Sequence, residues 1–177
     1  MIKDIFSFLG EQFEAILSVA ALLVAIFALW TQRRHDRISL KPLASIVLQD
    51  FDDNIRVKVS NAGVGPMIIT QVITEDKDSL MRKGYPIEWF EEKHYFWDNF
   101  NKPADGKILA VGDELVLLHY STDELDGQGK RQREKDIKEI RFRLKDLRII
   151  VHYKDIYNVA QPMACRDLAW FGRKTRI

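Results

Sequence analysis

The imidazole and thiol groups in this sequence, which bind transition metals and can act as nucleophiles, belong to four histidines and one cysteine. No two of them stand at a metal-ligand spacing, since they occupy positions His35, His94, His119, His152 and Cys165. The pair His35-Asp36 matches two residues of a motif found in metal-dependent phosphohydrolases, and a solvated surface pair explains it more simply. We therefore expect no metal site and no cofactor.

Paired acids could supply a general acid and a general base, and the sequence has such pairs at Glu91-Glu92 and Asp123-Glu124. Carboxylates need a pocket and a shifted pKa before they catalyse, and the sequence supplies neither. It also lacks a phosphate-binding glycine loop, a nucleophile elbow and a zinc-protease helix, and a β-turn explains Gly63-Val64-Gly65. We expect a protein that is not an enzyme.

A basic segment between residues 130 and 147 is a candidate binding surface. An apolar stripe at helical spacing predicts an amphipathic helix there: Ile137, Ile140, Leu144 and Leu147. The candidate contacts to phosphate or nucleic acid on its other faces are Arg131, Arg133, Lys138, Arg141 and Arg143. Acidic residues alternate with them, and the formal charge of the chain is only +1, so an ordinary solvated helix face remains the alternative.

Aromatic residues are concentrated between Tyr85 and Phe100. Pro86 suits the start of a short helix, which we expect to cover an open side of the domain. Four of the aromatic side chains are candidate contacts to a stacked ligand or a protein partner: Trp89, Phe90, Tyr95 and Trp97. The alternative is that they close the hydrophobic core, because each aromatic side chain buries a large area.

An uncharged apolar run from residue 15 to residue 32 predicts a membrane anchor, and the alternatives are a buried core helix and a cleavable signal peptide. Its 18 residues form a helix of about 27 Å, close to the hydrocarbon thickness of a thin bilayer. Acids precede the run, and Arg33, Arg34 and Arg37 follow it, so we expect a single span of the bacterial inner membrane with the amino terminus outside. The lone cysteine agrees with a reducing cytoplasm on the C-terminal side.

Small residues share one face of this predicted span: Ser18, Ala21, Ala25 and Ala28. Such a line lets helix backbones approach closely in lipid, so it predicts self-association into a homo-oligomer. The alternative is that alanine is simply common in membrane helices.

The period of the apolar residues changes to two after Pro42, and turn residues separate about six short segments rich in β-branched residues. We predict strands over 43–50, 55–60, 67–74, 115–120, 147–153 and 157–165, and a mainly β fold, an antiparallel immunoglobulin-like sandwich. The predicted organisation is an amphipathic lead-in or helix extension (1–14), a transmembrane helix (15–32), a basic linker (33–42), a cytoplasmic β-sandwich (43–170) with helical insertions at 78–105 and 121–146, and a basic tail (171–177).

Three turn signatures follow the span and its basic end: Asn61-x-Gly63-x-Gly65-Pro66, Val111-Gly112-Asp113-Glu114 and Val151-x-Tyr153-x-Asp155-x-Tyr157. This layout resembles small bacterial single-pass membrane proteins with a cytoplasmic immunoglobulin-like domain. It is also similar to membrane effectors of anti-phage systems, such as retrons and cyclic-oligonucleotide signalling operons. Nucleotide-sensing effectors of that kind typically carry two spanning helices, whereas this chain has one.

Two functions are consistent with this sequence. The first is a non-enzymatic, oligomeric membrane effector whose cytoplasmic domain senses a protein, nucleoprotein or nucleotide and triggers membrane disruption in anti-phage defence. The second is a scaffold or adaptor that recruits a cytoplasmic protein to the inner membrane. A weaker third alternative is a subunit of a membrane enzyme whose catalytic residues lie on another chain.

Overall fold

The computed structural model describes residues 2–90, 95–122 and 128–174. In its first helix the described side chains are those of residues 13, 16–36 and 38–39. The chain divides into two compact units, Met1–Leu40 and Lys41–Ile177. The predicted acidic pairs at 91–92 and 123–124, His94 and the last three residues lie outside the described residues.

The first unit is one α-helix, α1 (Ile2–Ser39), which is 38 residues long. Within it the 21 residues Ile16–Asp36 have a mean hydropathy of 1.8, and none of this segment is buried. By length and composition this segment is able to cross a membrane, as the sequence predicts. The helix is continuous through Gly10, so residues 2–14 extend it, which was one of the two alternatives for the lead-in.

The described part of the second unit contains nine strands, which together with the helices make the fold mainly β. They are β1 (Ala44–Asp50), β2 (Asn54–Asn61), β3 (Met67–Asp76), β4 (Arg82–Lys83), β5 (Asn99–Phe100), β6 (Ile108–Leu109), β7 (Glu114–Ser121), β8 (Leu147–Lys154) and β9 (Ala164–Asp167). Its helices are α2 (Gln128–Leu144) and two 3₁₀ helices, Pro86–Phe90 and Ala169–Lys174.

The strands form two antiparallel sheets. One sheet has the order β1-β2-β7-β5, and the other has the order β4-β3-β8-β9 with β6 also paired to β3. Along β2 the residues Ile55, Val57 and Val59 are fully buried and alternate with half-buried polar residues, because successive side chains of a strand point to opposite faces. Met67 and Val151 of the other sheet belong to the same hydrophobic core.

Helix α2 packs on this core through the predicted apolar stripe. Ile137, Ile140 and Leu144 are at most 1% exposed, and they recur at the spacing of three or four that places residues on one helix face. Leu147, the last member of the stripe, is also buried but begins strand β8. The prediction of an amphipathic helix in this segment is therefore confirmed.

Two predicted elements differ from the structure. The short helix predicted from Pro86 is present as the 3₁₀ helix Pro86–Phe90, residues 91–94 lie outside the described residues, residues 95–97 are not helical, and residues 99–100 form strand β5. The strand expected over 157–165 begins only at Ala164. Its first residues instead form a turn in which the Asp155 carboxylate accepts hydrogen bonds from the backbone N–H groups of Tyr157 and Val159.

The C-terminal segment is also more ordered than a basic tail. The 3₁₀ helix Ala169–Lys174 crosses the predicted domain boundary at residue 170, and its Phe171 side chain is fully buried. Because Phe171 fills part of the core, the folded unit extends at least to Lys174.

The Asn61 side chain forms hydrogen bonds with three loops at the end of the domain that contains Lys41. Its side-chain Nδ2 donates to the backbone carbonyls of Gly65 (2.8 Å), Leu109 (3.2 Å) and Ala110 (3.2 Å). Its Oδ1 accepts from the backbone N–H groups of Leu43 (3.3 Å) and Gly63 (3.1 Å). Asn61 is fully buried, so these bonds replace water and hold this end of the domain in one conformation.

Candidate functional site

Two of the five basic residues predicted to contact an anion are used to hold the fold together. Arg141 is 5% exposed, and its Nε donates to Oδ1 of the fully buried Asp50 side chain at 2.7 Å. Its Nη2 donates to the backbone carbonyl of Phe51. The guanidinium therefore clamps helix α2 to the end of strand β1.

Arg133, on a different face of helix α2, is also held by hydrogen bonds to other parts of the domain. Its Nη1 donates to Asp98 Oδ1 at 3.0 Å and to the Ser121 carbonyl at 2.5 Å. Its guanidinium carbon lies 5.1 Å from the centre of the Tyr120 ring, within the range of a cation–π interaction. These contacts join α2 to strand β7, so the Arg133 side chain stabilises the fold.

The other three predicted residues are exposed on α2, and Lys138 lines a cleft together with six other charged residues. We call it the charged cleft. It is an open depression of about 620 Å³ between α2, the β1–β2 turn and the C-terminal 3₁₀ helix, lined by Asp52, Asp53, Thr122, Lys130, Glu134, Lys138, Arg141 and Lys174. Arg131 does not line it, and Arg143 lines a separate depression beside Trp89 and Phe142.

The charges of this cleft are mixed. Its lining has four cationic side chains and three anionic ones, a net charge of +1. Lys174 donates to Asp52 Oδ1 at 2.7 Å, and this hydrogen bond and the Lys174 charge hold the pKa of Asp52 below its usual value. A surface with both signs of charge suits a folded protein partner, which also presents both signs, better than a polyanion.

The predicted aromatic residues belong mainly to the core. Phe90, Tyr95 and Trp97 lie with their ring centres 5.3–5.8 Å apart, and Tyr95 and Trp97 both contact Tyr120 edge-on at 6.3 and 5.4 Å. Phe90 and Tyr120 are at most 3% exposed, so their faces are not open to a stacked ligand. Trp89 is half-buried at the edge of the core, with Lys83 Nζ 5.2 Å from its ring centre.

The predicted self-association residues Ser18, Ala21, Ala25 and Ala28 lie in α1, where every described side chain of the span is exposed. Their spacing of three or four places them on one helix face. Their contact with a second helix stays a prediction.

The shifted carboxyl groups in the described residues have structural partners. Backbone and side-chain hydrogen bonds from Ser79 lower the pKa of Asp76, and the hydrogen bond from Arg148 lowers that of Asp167. A lowered pKa makes a carboxylate a weaker base. Among the described residues no group of three or more His, Cys, Asp or Glu side chains could hold a metal ion.

The sequence analysis did not predict the burial or the hydrogen-bond partners of two polar residues, Asp50 and Asn61. Asn61 carries a usable signal, because asparagine two residues before a glycine often accepts a hydrogen bond from that glycine, as it does from Gly63 N–H. Asp50 carries none, since its partners Arg141 and Arg173 lie far along the chain.

Comparisons with family models, with curated proteins and with solved structures find no match to this chain.

Proposed function

We propose that this chain is a non-enzymatic, membrane-anchored effector. Helix α1 spans the membrane and self-associates through its small-residue face, and the β domain senses a partner. The observation that carries this proposal is that the apolar segment Ile16–Asp36 is entirely exposed. Exposure to water of the apolar side chains between Ile16 and Trp30 would be strongly unfavourable, so a bilayer or other helices must cover them.

The orientation follows from the charges beside the span. Arg33, Arg34 and Arg37 follow it closely, and basic residues next to a span are retained in the cytoplasm, so the β domain lies on the inner face of a bacterial membrane. We further propose that this domain is an immunoglobulin-like sandwich. The sharing of one hydrophobic core by two antiparallel sheets supports this.

The effector acts by changing how the spans pack. A protein, nucleoprotein or nucleotide bound to the β domain shifts the association of α1 helices, and the rearranged spans permeabilise the membrane in defence against phage. The nucleotide alternative has the least support, because Phe90 of the predicted aromatic platform is buried, the other three aromatic residues are half-buried against the core, and the cleft beside Lys138 carries both signs of charge.

Expression of variants with a membrane-potential dye tests this proposal. The full chain should depolarise the membrane, and a chain lacking residues 1–37 should not. Ala21→Ile with Ala25→Ile should abolish both depolarisation and oligomers seen by native mass spectrometry, because bulky groups separate the backbones. Ala20→Ile is the matched control, since it enlarges a different face of the helix.

The proposal fails if neither overexpression nor activation of the full chain depolarises the membrane. It also fails if the double variant remains active and oligomeric, since the small-residue face would then have no role.

A second candidate function is that of an adaptor, and the charged cleft favours it. Lys130 and Lys138 line the cleft without a hydrogen bond or ion pair to any described residue, and they are exposed, so they are available to a protein partner. An adaptor should co-purify with a stoichiometric partner and leave conductance unchanged. Lys138→Glu should release that partner, and Lys135→Glu, on the same helix but outside the cleft, should retain it.

A further inference from the structure

The end of the β domain that contains Lys41 carries an apolar groove. Three of its lining residues are large, apolar and mostly exposed: Leu43 (57%), Val64 (63%) and Met163 (59%). The groove has a volume of about 510 Å³, and Lys41 is the one charged residue among the described residues that line it. Apolar side chains gathered in one place on a surface indicate a contact with something apolar.

Two backbone segments beside the groove are closely packed and hydrogen-bonded. Residues 41–43 lie beside the 62–64 turn, with Ala62 N donating to the Leu43 carbonyl at 2.8 Å and Val64 N donating to the Lys41 carbonyl at 3.2 Å. A methyl group at Gly63 would lie 2.3 Å from Leu43 N, so the two backbone segments are in close contact. The buried Asn61 side chain fixes both segments. These contacts fix the backbone positions from which the exposed side chains of Leu43 and Val64 extend.

Covalent geometry limits how far this groove is from the bilayer. Nine residue steps separate Gln32, the last residue of the uncharged run, from Lys41. Helix α1 continues through Ser39, so seven of these steps rise only about 1.5 Å each and the whole connection covers about 18 Å, while the polar region of one leaflet is itself about 5–7 Å deep. Any membrane that α1 spans is therefore within reach of the groove.

Charge favours this end of the domain as the one that meets lipid. Lys41 borders the groove, and Arg33 and Arg34 precede it, so anionic headgroups are attracted there. The acidic turn that contains Asp52 and Asp53 lies at the opposite end of the β1–β2 hairpin, six strand steps or about 20 Å away.

We propose that the apolar groove docks on the bilayer that holds α1. Leu43, Val64 and Met163 enter the boundary between headgroups and acyl chains, and Lys41 contacts an anionic lipid phosphate. This inference rests on the proposed membrane span. Its consequence is that the domain has a fixed orientation, with the charged cleft directed away from the membrane and open to the cytoplasm.

Site-specific fluorescence of the full chain tests this docking. The lone cysteine is first removed as Cys165→Ser, and an environment-sensitive fluorophore is attached to one new cysteine at Val64, Asp53 or Leu23. Each protein is reconstituted in vesicles of phosphatidylcholine and phosphatidylglycerol that contain lipids with a nitroxide quencher, placed either near the headgroup or deep in the acyl chain.

The Val64 label should lose most of its emission to the shallow quencher, and the Asp53 label should lose almost none. The Leu23 label should be quenched by the deep probe. Lys41→Glu should restore much of the Val64 emission in anionic vesicles, because repulsion replaces attraction, while the control Lys130→Glu at the other end of the domain should not.

The outcomes separate the two proposals. If the Leu23 label is not quenched, the span and with it the proposed function fail. If the Leu23 label is quenched and the Val64 label is quenched no more than the Asp53 label, the span stands and the docking is wrong. A Val64 label with blue-shifted emission and no quenching by lipid also overturns the docking, since a protein would then cover the groove.

Discussion

Arg141 Nε donates a hydrogen bond to Asp50 Oδ1 at 2.7 Å, and both side chains are almost completely buried although they lie 91 positions apart in the sequence. Arg173 adds a second contact, since its Nη2 donates to the Asp50 backbone carbonyl at 3.0 Å. Arg173 Nε also lies 3.6 Å from Asp50 Oδ2, so this one residue connects strand β1, helix α2 and the C-terminal 3₁₀ helix. It also positions the wall of the charged cleft, because Arg141 lines that cleft.

Breaking this ion pair should strongly destabilise the β domain. Arg141→Met leaves the Asp50 carboxylate buried without its closest partner, and loss of one member of a buried pair costs about 3–5 kcal/mol. The free energy of unfolding is measured by urea titration of the detergent-solubilised full chain, followed by tryptophan fluorescence. Arg143→Ala, an exposed arginine on the same helix, should change it by less than about 0.5 kcal/mol.

The double variant Asp50→Leu with Arg141→Met should be less destabilised than the sum of the two single variants. Replacing a buried pair by apolar residues removes both desolvated charges together. Additive effects would contradict a direct interaction between the two side chains.

Asn61→Ala should destabilise the domain by about 3 kcal/mol or more. The substitution removes five hydrogen bonds, and each buried backbone group left without a partner costs about 1–3 kcal/mol. Hydrogen exchange should increase most at Leu43 and Gly63, whose N–H groups lose their acceptor. Asn99→Ala is the control, because Asn99 is exposed, and it should leave both measurements nearly unchanged.

Gly63→Ala tests the close approach of the two backbone segments at the same end of the domain. The new methyl group would meet the Lys41 carbonyl oxygen at 2.6 Å and Leu43 N at 2.3 Å, and backbone atoms cannot move aside without displacing the strand. We expect a loss of about 3 kcal/mol by urea titration, the upper range for overpacking.

Gly84→Ala is the matched control for this substitution. Its methyl group would meet only the flexible Glu88 carboxylate, at 3.2 Å, so the loss should be clearly smaller. Equal losses for the two variants would contradict the close contact at Gly63.

Sequence patterns were sufficient to predict the strands and helices whose formation depends on residues close together in the sequence. The alternation of Ile55, Val57 and Val59 and the helical stripe of Ile137 and Ile140 predict their elements, because period two and period 3.6 each place apolar groups on one face. The last strand was predicted wrongly because a local feature overrides its β-branched content. Asp155 caps a turn there, and Asn158 has a φ of 65°, a left-handed conformation that ends a strand.

The binding residues were less predictable, because their roles depend on distant partners. Arg141 and Arg143 cannot be distinguished in the sequence, yet Arg141 is buried in an ion pair with Asp50, and Arg143 is exposed. The aromatic segment looks like a stacking surface until Tyr120 of strand β7 is placed against Trp97. Such tertiary contacts have no periodic signature in one sequence, so the charged cleft and the apolar groove became visible only in the folded domain.

Tyr120 should make the domain sensitive to alkaline pH. Its hydroxyl donates to Asp136 Oδ2 at 2.9 Å, and burial, together with that carboxylate, raises the pKa of Tyr120 well above the ordinary tyrosine value of 10.0. Below pH 10 both folded and unfolded chains keep the proton, so the contribution to stability is complete. As the pH rises past 10 the unfolded chain loses the proton first, so the free energy of unfolding should fall.

Tyr120→Phe separates this effect from general alkaline denaturation. The variant should lose about 1–2 kcal/mol near neutral pH, because Asp136 loses a buried donor, but its free energy of unfolding should fall less steeply above pH 10. Urea titrations at a series of pH values measure both quantities, and an unchanged alkaline slope in Tyr120→Phe would contradict the assignment because the buried phenol would then not be the group that titrates.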